Sequence, residues 1–306
     1  MIEVRDLTKT YGNVRAVDGI TFEIQQGEIF GLLGPNGAGK TSTLECLEGL
    51  RKPDEGLLRV AGVDPWKEPR KLRNLIGVQL QSAGLPDSIT PEEVMKIFCG
   101  YQNVPPRYDL LERMGLNDKR NDQFYKLSSG QQRRLSLVLA VAHNPQVLFL
   151  DEPTAGLDVA TRIELHQLIR ELQQGNTTIV LATHDMAEAE QLADRVAILL
   201  HGKIVSIGTP MDITATGKGL TKISVRSQNG SIANLDQVFP FVSHSIFKDG
   251  YNIYFSYKTG VTVSAIIAHV ESHGDVLIDL RVERPSLEDR FLEITRTNES
   301  HSGASL

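Results

Sequence analysis

Gly34-Pro35-Asn36-Gly37-Ala38-Gly39-Lys40-Thr41 opens with Gly, runs through four residues and closes on Gly-Lys-Thr, with Ser42 following. This is the phosphate-loop pattern, and its chemistry follows from the residue types. Glycines let successive backbone amides converge on one concavity, a helix beginning near Gly39 adds the positive end of its dipole, and the Lys40 ammonium reaches the terminal phosphates of a nucleotide. Thr41 offers its hydroxyl to a Mg2+ ion. Far downstream, the apolar run Val147-Leu148-Phe149-Leu150 ends in Asp151-Glu152-Pro153. Two adjacent acids at the carboxyl end of a buried strand stand where α/β folds put ligands. They can divide labour, Asp151 holding the Mg2+ shell and Glu152 polarising an attacking water as general base.

Such residues need strands and helices to hold them. Ile29-Phe30-Gly31-Leu32-Leu33 precedes the loop, after a Gly27-Glu28 turn, and Thr178-Ile179-Val180-Leu181-Ala182 is a further apolar run. Runs of this kind fit central strands of a parallel sheet covered on both faces. Strand and helix patterns alternate over residues 1–216, the mark of an α/β layer structure. Residues 82–143 read as a helical insertion, where Thr90, Pro91 and Glu93 form a capping box. A helix is predicted over 159–174, with Ile163, Leu165, Leu168, Ile169 and Leu172 turned inward and Gly175 as its stop. Composition shifts to Gly, Thr and Lys at 208–219, a linker.

Beyond it, residues 220–297 read as a small α+β domain. Strands are expected at 222–226, 242–247, 251–257 and 276–282, and helices at 232–238, 261–271 and from 286. The order β-α-β-β-α-β with an extra helix suits a ferredoxin-like sandwich. Residues 298–306 are polar and small, hence expected to be disordered. No internal repeat is visible, and the first domain is not duplicated.

The chain has 306 residues, a length that suggests two domains, with 41% apolar and 23% charged residues. Its 32 Lys and Arg against 38 Asp and Glu leave a formal charge of -6, which argues against coating nucleic acid or anionic lipid as its main task. Cys46 and Cys99 have no metal-ligand spacing and read as reduced, buried thiols. The amino terminus is charged from Glu3, and no apolar stretch reaches the roughly 18 to 20 residues a membrane span needs. Neither a signal peptide nor a membrane anchor of its own is expected.

Taken together, these motifs resemble the nucleotide-binding domain of ATP-binding-cassette proteins over residues 2–210. Leu127-Ser128-Ser129-Gly130-Gln131 resembles the family signature, with Ser129 where the family has Gly. Physically it is another helix start, in which Ser128 can cap, Gly130 permits close approach and the free amides face an anion. In the family this motif, here Ser128, Gly130 and Gln131, reaches across a dimer to the γ-phosphate held by the other copy. The resemblance implies that Tyr11 stacks on adenine, that Gln81 touches Mg2+ and hinges the insertion, and that His184 orients the catalytic water. Gln79 is a rival for the role of Gln81. Ala155-Gly156-Leu157-Asp158 resembles the loop that crosses the interface, and Asp158 is also a plausible N-cap.

The resemblance implies ATP and Mg2+ as ligands and a second nucleotide-binding copy, expected to be identical, as a partner. It also implies separate transmembrane permease subunits that dock near Gln81 and the insertion, and a place on the cytoplasmic face of the membrane. Residues 283–292, Glu-Arg-Pro-Ser-Leu-Glu-Asp-Arg-Phe-Leu, resemble the carboxyl-terminal segment of subunits in drug, antibiotic, lipid and polysaccharide exporters. The segment reads equally as a capped helix with Leu287, Phe291 and Ile294 inward. The alternative is a soluble cassette ATPase acting on ribosomes or nucleic acid, but the chain carries neither a second cassette nor a long coiled coil. A regulatory module with a dead site would lack Lys40, Glu152 or His184, and all three are present.

Overall fold

The computed structural model describes residues 1–79, 84–215, 220–232 and 239–302, with side chains as far as 295. The chain divides into two compact units, Met1–Pro210 and Met211–Leu306.

The first unit is built on strands β1 (Ile2–Tyr11), β2 (Val14–Ile24), β3 (Ile29–Leu33), β4 (Glu55–Val60), β5 (Ile76–Gln79), β6 (Val147–Asp151), β7 (Thr178–Thr183), β8 (Arg195–Leu200) and β9 (Lys203–Gly208). Six of them form a sheet in the order β5-β6-β7-β3-β8-β9, parallel except for β9. Every residue of β3, β6 and β7 is buried, which is why these strands read as unbroken apolar runs. Because β6, β7 and β3 are consecutive neighbours, the loops that leave their carboxyl ends open side by side.

A second, antiparallel sheet in the order β2-β1-β4 packs its alternate residues Ile2, Val4, Phe22, Ile24 and Leu58 against Phe30, Phe149 and Val180. Between the sheets lies α1 (Lys40–Leu47), through Leu44 and Leu47. The sequence reading starts its strands at Ile29 and passes over β1, β2 and β4. Their solvent faces carry Glu3, Arg5, Glu23 and Arg59 between the apolar positions, so no continuous run announces them.

Helices α2 (Pro69–Arg73), α3 (Pro91–Tyr101), α4 (Tyr108–Arg113) and α5 (Ser129–Val141) follow, with single 3-10 turns at Asn117–Lys119 and Phe124–Lys126. The Thr90/Glu93 capping box at α3 forms as expected. Helix α5 lies so close to β5 that a Cβ on Gly77 would run into the Ala140 carbonyl. The unit is completed by α6 (Val159–Gln174) and α7 (Met186–Leu192); α8 (Pro210–Ala215) starts at its last residue and belongs to the second unit. On α6, Leu165, Leu168 and Ile169 are buried, but Ile163 is 52% exposed. At 100° per residue Ile163 falls opposite Leu165, so it was wrongly counted on the inward face. Gly175 is the C-cap, and the left-handed turn that ends α6 is made by Asn176 (φ 71°) instead, a residue whose short polar side chain tolerates that region.

In the second unit β10 (Thr221–Ser227), β11 (Val242–Lys248), β12 (Tyr251–Ser256) and β13 (Leu277–Glu283) form an antiparallel sheet in the order β11-β12-β10-β13. Ile266 and Val270 of α9 (Thr259–Ser272) pack with Ile223, Val225 and Tyr254. The last helix, α10, spans Leu287–Ser302, so helix continues past 298, where the sequence reading ends order. Leu287 and Ile294 are buried and Phe291 half-buried. The helix expected at 232–238 falls, after Ile232, on residues outside those described.

Candidate functional site

The loop between β3 and α1 is shaped by its glycines. Gly39 caps α1 at φ 107°, and a Cβ there would collide with the Ala16 carbonyl. Lys40 begins the helix and is only 6% exposed; its Nζ donates to the carbonyl oxygens of Gly34 (2.7 Å) and Pro35 (3.2 Å). The lysine thus closes the loop upon itself. Burial lowers the Lys40 pKa, while Glu152 and Asp151 oppose that shift.

Strand β6 delivers Asp151 and Glu152 beside it. The Thr41 hydroxyl donates to Asp151 Oδ2 at 3.1 Å. Burial raises the Asp151 carboxyl above its ordinary value, and the Thr41 hydrogen bond works against it. Glu152 has left-handed backbone (φ 51°), with its amide bonded to the Ala182 carbonyl of β7. Its carboxylate stands between two partners: Lys40 Nζ lies 3.8 Å from Oε1, and His184 Nδ1 lies 2.7 Å from Oε2. A carboxylate accepts, so His184 Nδ1–H is the donor of this contact. His184 follows β7, and the adjacency of β3, β6 and β7 is what assembles the trio.

Residues 35–42, Asp151 and Glu152 border a cleft of about 610 Å³, with Tyr11 at its rim, 39% exposed and with Lys9 Nζ 5.4 Å from its ring centre. Sequence reasoning missed five further wall residues, Val14, Arg15, Ala16, His201 and Gly202. Arg15 follows the Gly12-Asn13 turn after Tyr11 and pairs with Asp18; His201 occupies the β8–β9 turn, whose Gly202 amide bonds to the Ala38 carbonyl. A His-Gly dipeptide between two strands was the available signal.

The 128–131 segment is outside this cleft. Ser128 caps α5, accepting from the Gln131 amide, while the Gln131 side chain returns a bond to the Ser128 amide. Ser129 is the first residue of the helix and Gly130 faces Leu157 and Gly156. Arg133 Nη1 donates to the Ala155 carbonyl, so the start of α5 and the 155–158 loop form one surface. Asp158 caps α6 through the Thr161 amide. Gln81 lies outside the described residues. Its rival Gln79 is 1% exposed, and neither polar atom of its amide has a partner among the described residues.

Residues 17–155 match the ABC transporter family model. The chain is 30% identical to the linearmycin resistance ATP-binding protein LnrL of Bacillus subtilis, over 96% of this chain and 98% of that protein. It is 32% identical to the daunorubicin resistance ATP-binding protein DrrA3 of Streptomyces coeruleorubidus, over 96% and 95% of the two chains. The Nod factor export ATP-binding protein I of Paraburkholderia xenovorans is 34% identical over 96% of each. Among solved structures, an ATP-binding subunit of an ABC transporter superposes with a TM-score of 0.67 at 27% identity, covering 70% of this chain and 92% of that one. The dimeric bacterial ABC transporter cassette MJ0796 superposes with a TM-score of 0.63 at 26% identity, covering 68% and 98%.

Proposed function

The chain belongs to the ABC transporter family as one of its ATP-hydrolysing subunits, and from that premise we propose that it energises an exporter of the drug, antibiotic, lipid or polysaccharide type. The observation that carries the reading is the placement of Lys40 and His184 on either side of the Glu152 carboxylate, at the mouth of a loop built for phosphates. The named relatives act in drug resistance and Nod factor export, which supports the export direction.

In this reading ATP binds with adenine on Tyr11 and its phosphates on the amides of residues 34–42. Lys40 exchanges the two loop carbonyls for phosphate oxygens, whose charge favours the ammonium that burial disfavours. Glu152 takes a proton from the water that attacks the γ-phosphorus, ADP leaves and inorganic phosphate forms. His184 holds Glu152 and the water in line. Mg2+ suits the hard oxygens that Thr41 and Asp151 bring within 3.1 Å of each other; Gln81 is proposed as a further ligand. When bound, the ion neutralises charge on the phosphate oxygens.

Ser128, Gly130 and Gln131 lie outside the cleft of their own chain, which supports a second copy supplying them in trans. Two copies would close on ATP and open after hydrolysis. Residues 220–297 are proposed as an accessory domain. Separate membrane subunits would dock in a groove of about 500 Å³ walled by Leu50, Ile97, Phe98 and Tyr101, all exposed apolar side chains, and would place the chain on the cytoplasmic face of the membrane. The test is to tag Glu152→Gln in its native host, solubilise membranes with ATP present and identify what co-purifies. A polytopic membrane protein in stoichiometric amount is expected; recovery only with ribosomal or DNA-bound partners would overturn the transport reading.

A further inference from the structure

The apolar wall of that groove does not explain one of its members. Glu48 lines the groove at the end of α1, is 6% exposed, and its Oε2 has no hydrogen-bond partner among the described residues. A buried carboxyl oxygen without a donor is costly, and such groups in folded proteins ordinarily find one. The charged groups bearing on it are Asp151 and Glu45, both acidic. The two basic side chains of the groove are turned to other partners: Arg73 Nε donates to the Pro69 carbonyl, and His143 Nε2 sits 3.0 Å from the Ile76 carbonyl. Burial holds the pKa of His143 down. The groove is therefore apolar at its walls and acidic at one point of its floor.

We propose that Glu48 is the acceptor for a basic side chain, Arg or Lys, carried on a helix of the membrane subunit whose apolar face fills the groove. The inference rests on the docking reading above and adds to it the chemistry of the docked segment: aliphatic or aromatic residues for Leu50, Ile97, Phe98 and Tyr101, and one cation for the carboxylate. A neutral leucine-like segment would fill the groove and leave the acid unpartnered.

Charge sets how docking must respond to pH. With burial as the main cause, and Asp151 and Glu45 adding to it, the carboxyl of Glu48 is pushed up to about 8. In the undocked chain it is thus protonated at neutral pH, and pairing with a cation expels that proton to solvent. Affinity must rise with pH, by up to about tenfold per unit, and level off above pH 8. A partner offering a carbonyl oxygen to the neutral acid would give the opposite slope.

The experiment measures the Kd of the purified full chain for the detergent-solubilised membrane subunit recovered with Glu152→Gln, between pH 6.5 and 9. Wild type should bind more tightly as pH rises, and Glu48→Gln should bind about tenfold or more weakly at pH 8.5, with a flat profile. Infrared spectra at pH 6.5 should contain a protonated-carboxyl band that Glu48→Gln removes and docking bleaches. Phe98→Asp is the control on the groove itself. If Phe98→Asp abolishes binding while Glu48→Gln keeps both the Kd and the pH slope of wild type, the groove stands and the role of Glu48 is wrong. If Phe98→Asp binds as wild type, or no membrane subunit is recovered, the docking reading fails and this inference with it.

Discussion

Helix α1 carries a buried ionisable group at each end: Lys40 is its first residue and Glu48 its C-cap, about 12 Å apart along the axis. The two environments differ in one respect. Around Lys40 each buried ionisable group has a partner within the chain, in the Gly34 and Pro35 carbonyls, Thr41, Glu152 and His184. Around Glu48 the bearing charges are of like sign and its Oε2 is unpartnered among the described residues. Partnered burial suits a site that must keep its geometry while a ligand comes and goes; unpartnered burial suits a surface that some other molecule completes. The same eight-residue helix thus runs from the cleft of residues 35–42 to the apolar groove.

The largest expected effect breaks the cleft side. Glu152→Gln removes the proposed general base and should slow steady-state ATP hydrolysis by about 10²–10⁴-fold, with nucleotide binding retained; phosphate release and equilibrium binding measure the two separately. Next comes the groove side. Between the ordinary carboxylate value of 4.5 and the raised one of about 8, folded Glu48 keeps a proton that the unfolded chain has lost. Stability from this group is full below the lower value and falls as pH rises through the window, by at most about 1.4 kcal/mol per pH unit. Glu48→Gln does not titrate, so its stability relative to wild type should increase from pH 5 to pH 8 in urea melts; a constant difference would mean that Glu48 is not held neutral.

The first unit is written unevenly in its sequence. Lys40, Thr41, Asp151 and Glu152, which the fold brings together, could be singled out because each motif is contiguous and lies where a fully buried strand ends. The groove could not, since residues 48–50, 73–78, 97–102 and 139–143 come together only through the fold. Nor does local pattern reveal that Glu48 is buried, for a glutamate after a short helix reads as solvated. Strands β1, β2 and β4 were hidden by their polar outer faces, and Ile163 by its being apolar on a helix whose core stripe lies elsewhere. Arg15 and His201 join the cleft wall from turns whose neighbours are set by tertiary contacts.

Two smaller effects sharpen the contrast. Tyr11→Ala takes away a stacking surface at the cleft rim and should weaken ATP binding by about tenfold, read by titration with a fluorescent nucleotide, with no change in the pH dependence tied to Glu48. Asp158→Ala loses the cap of α6 and should cost about 1 kcal/mol of stability, in a denaturant melt, at a position that belongs to neither region.

The central claim is that this chain hydrolyses ATP with Glu152 in a site that two copies complete. Phosphate release by purified wild type and Glu152→Gln, followed across a wide range of protein concentration at saturating ATP and Mg2+, tests it most directly. The account predicts that specific activity rises with protein concentration as copies pair, that Glu152→Gln is nearly inactive at every concentration, and that this variant accumulates as an ATP-bound dimer. Specific activity independent of concentration, or turnover by Glu152→Gln equal to wild type, would contradict it.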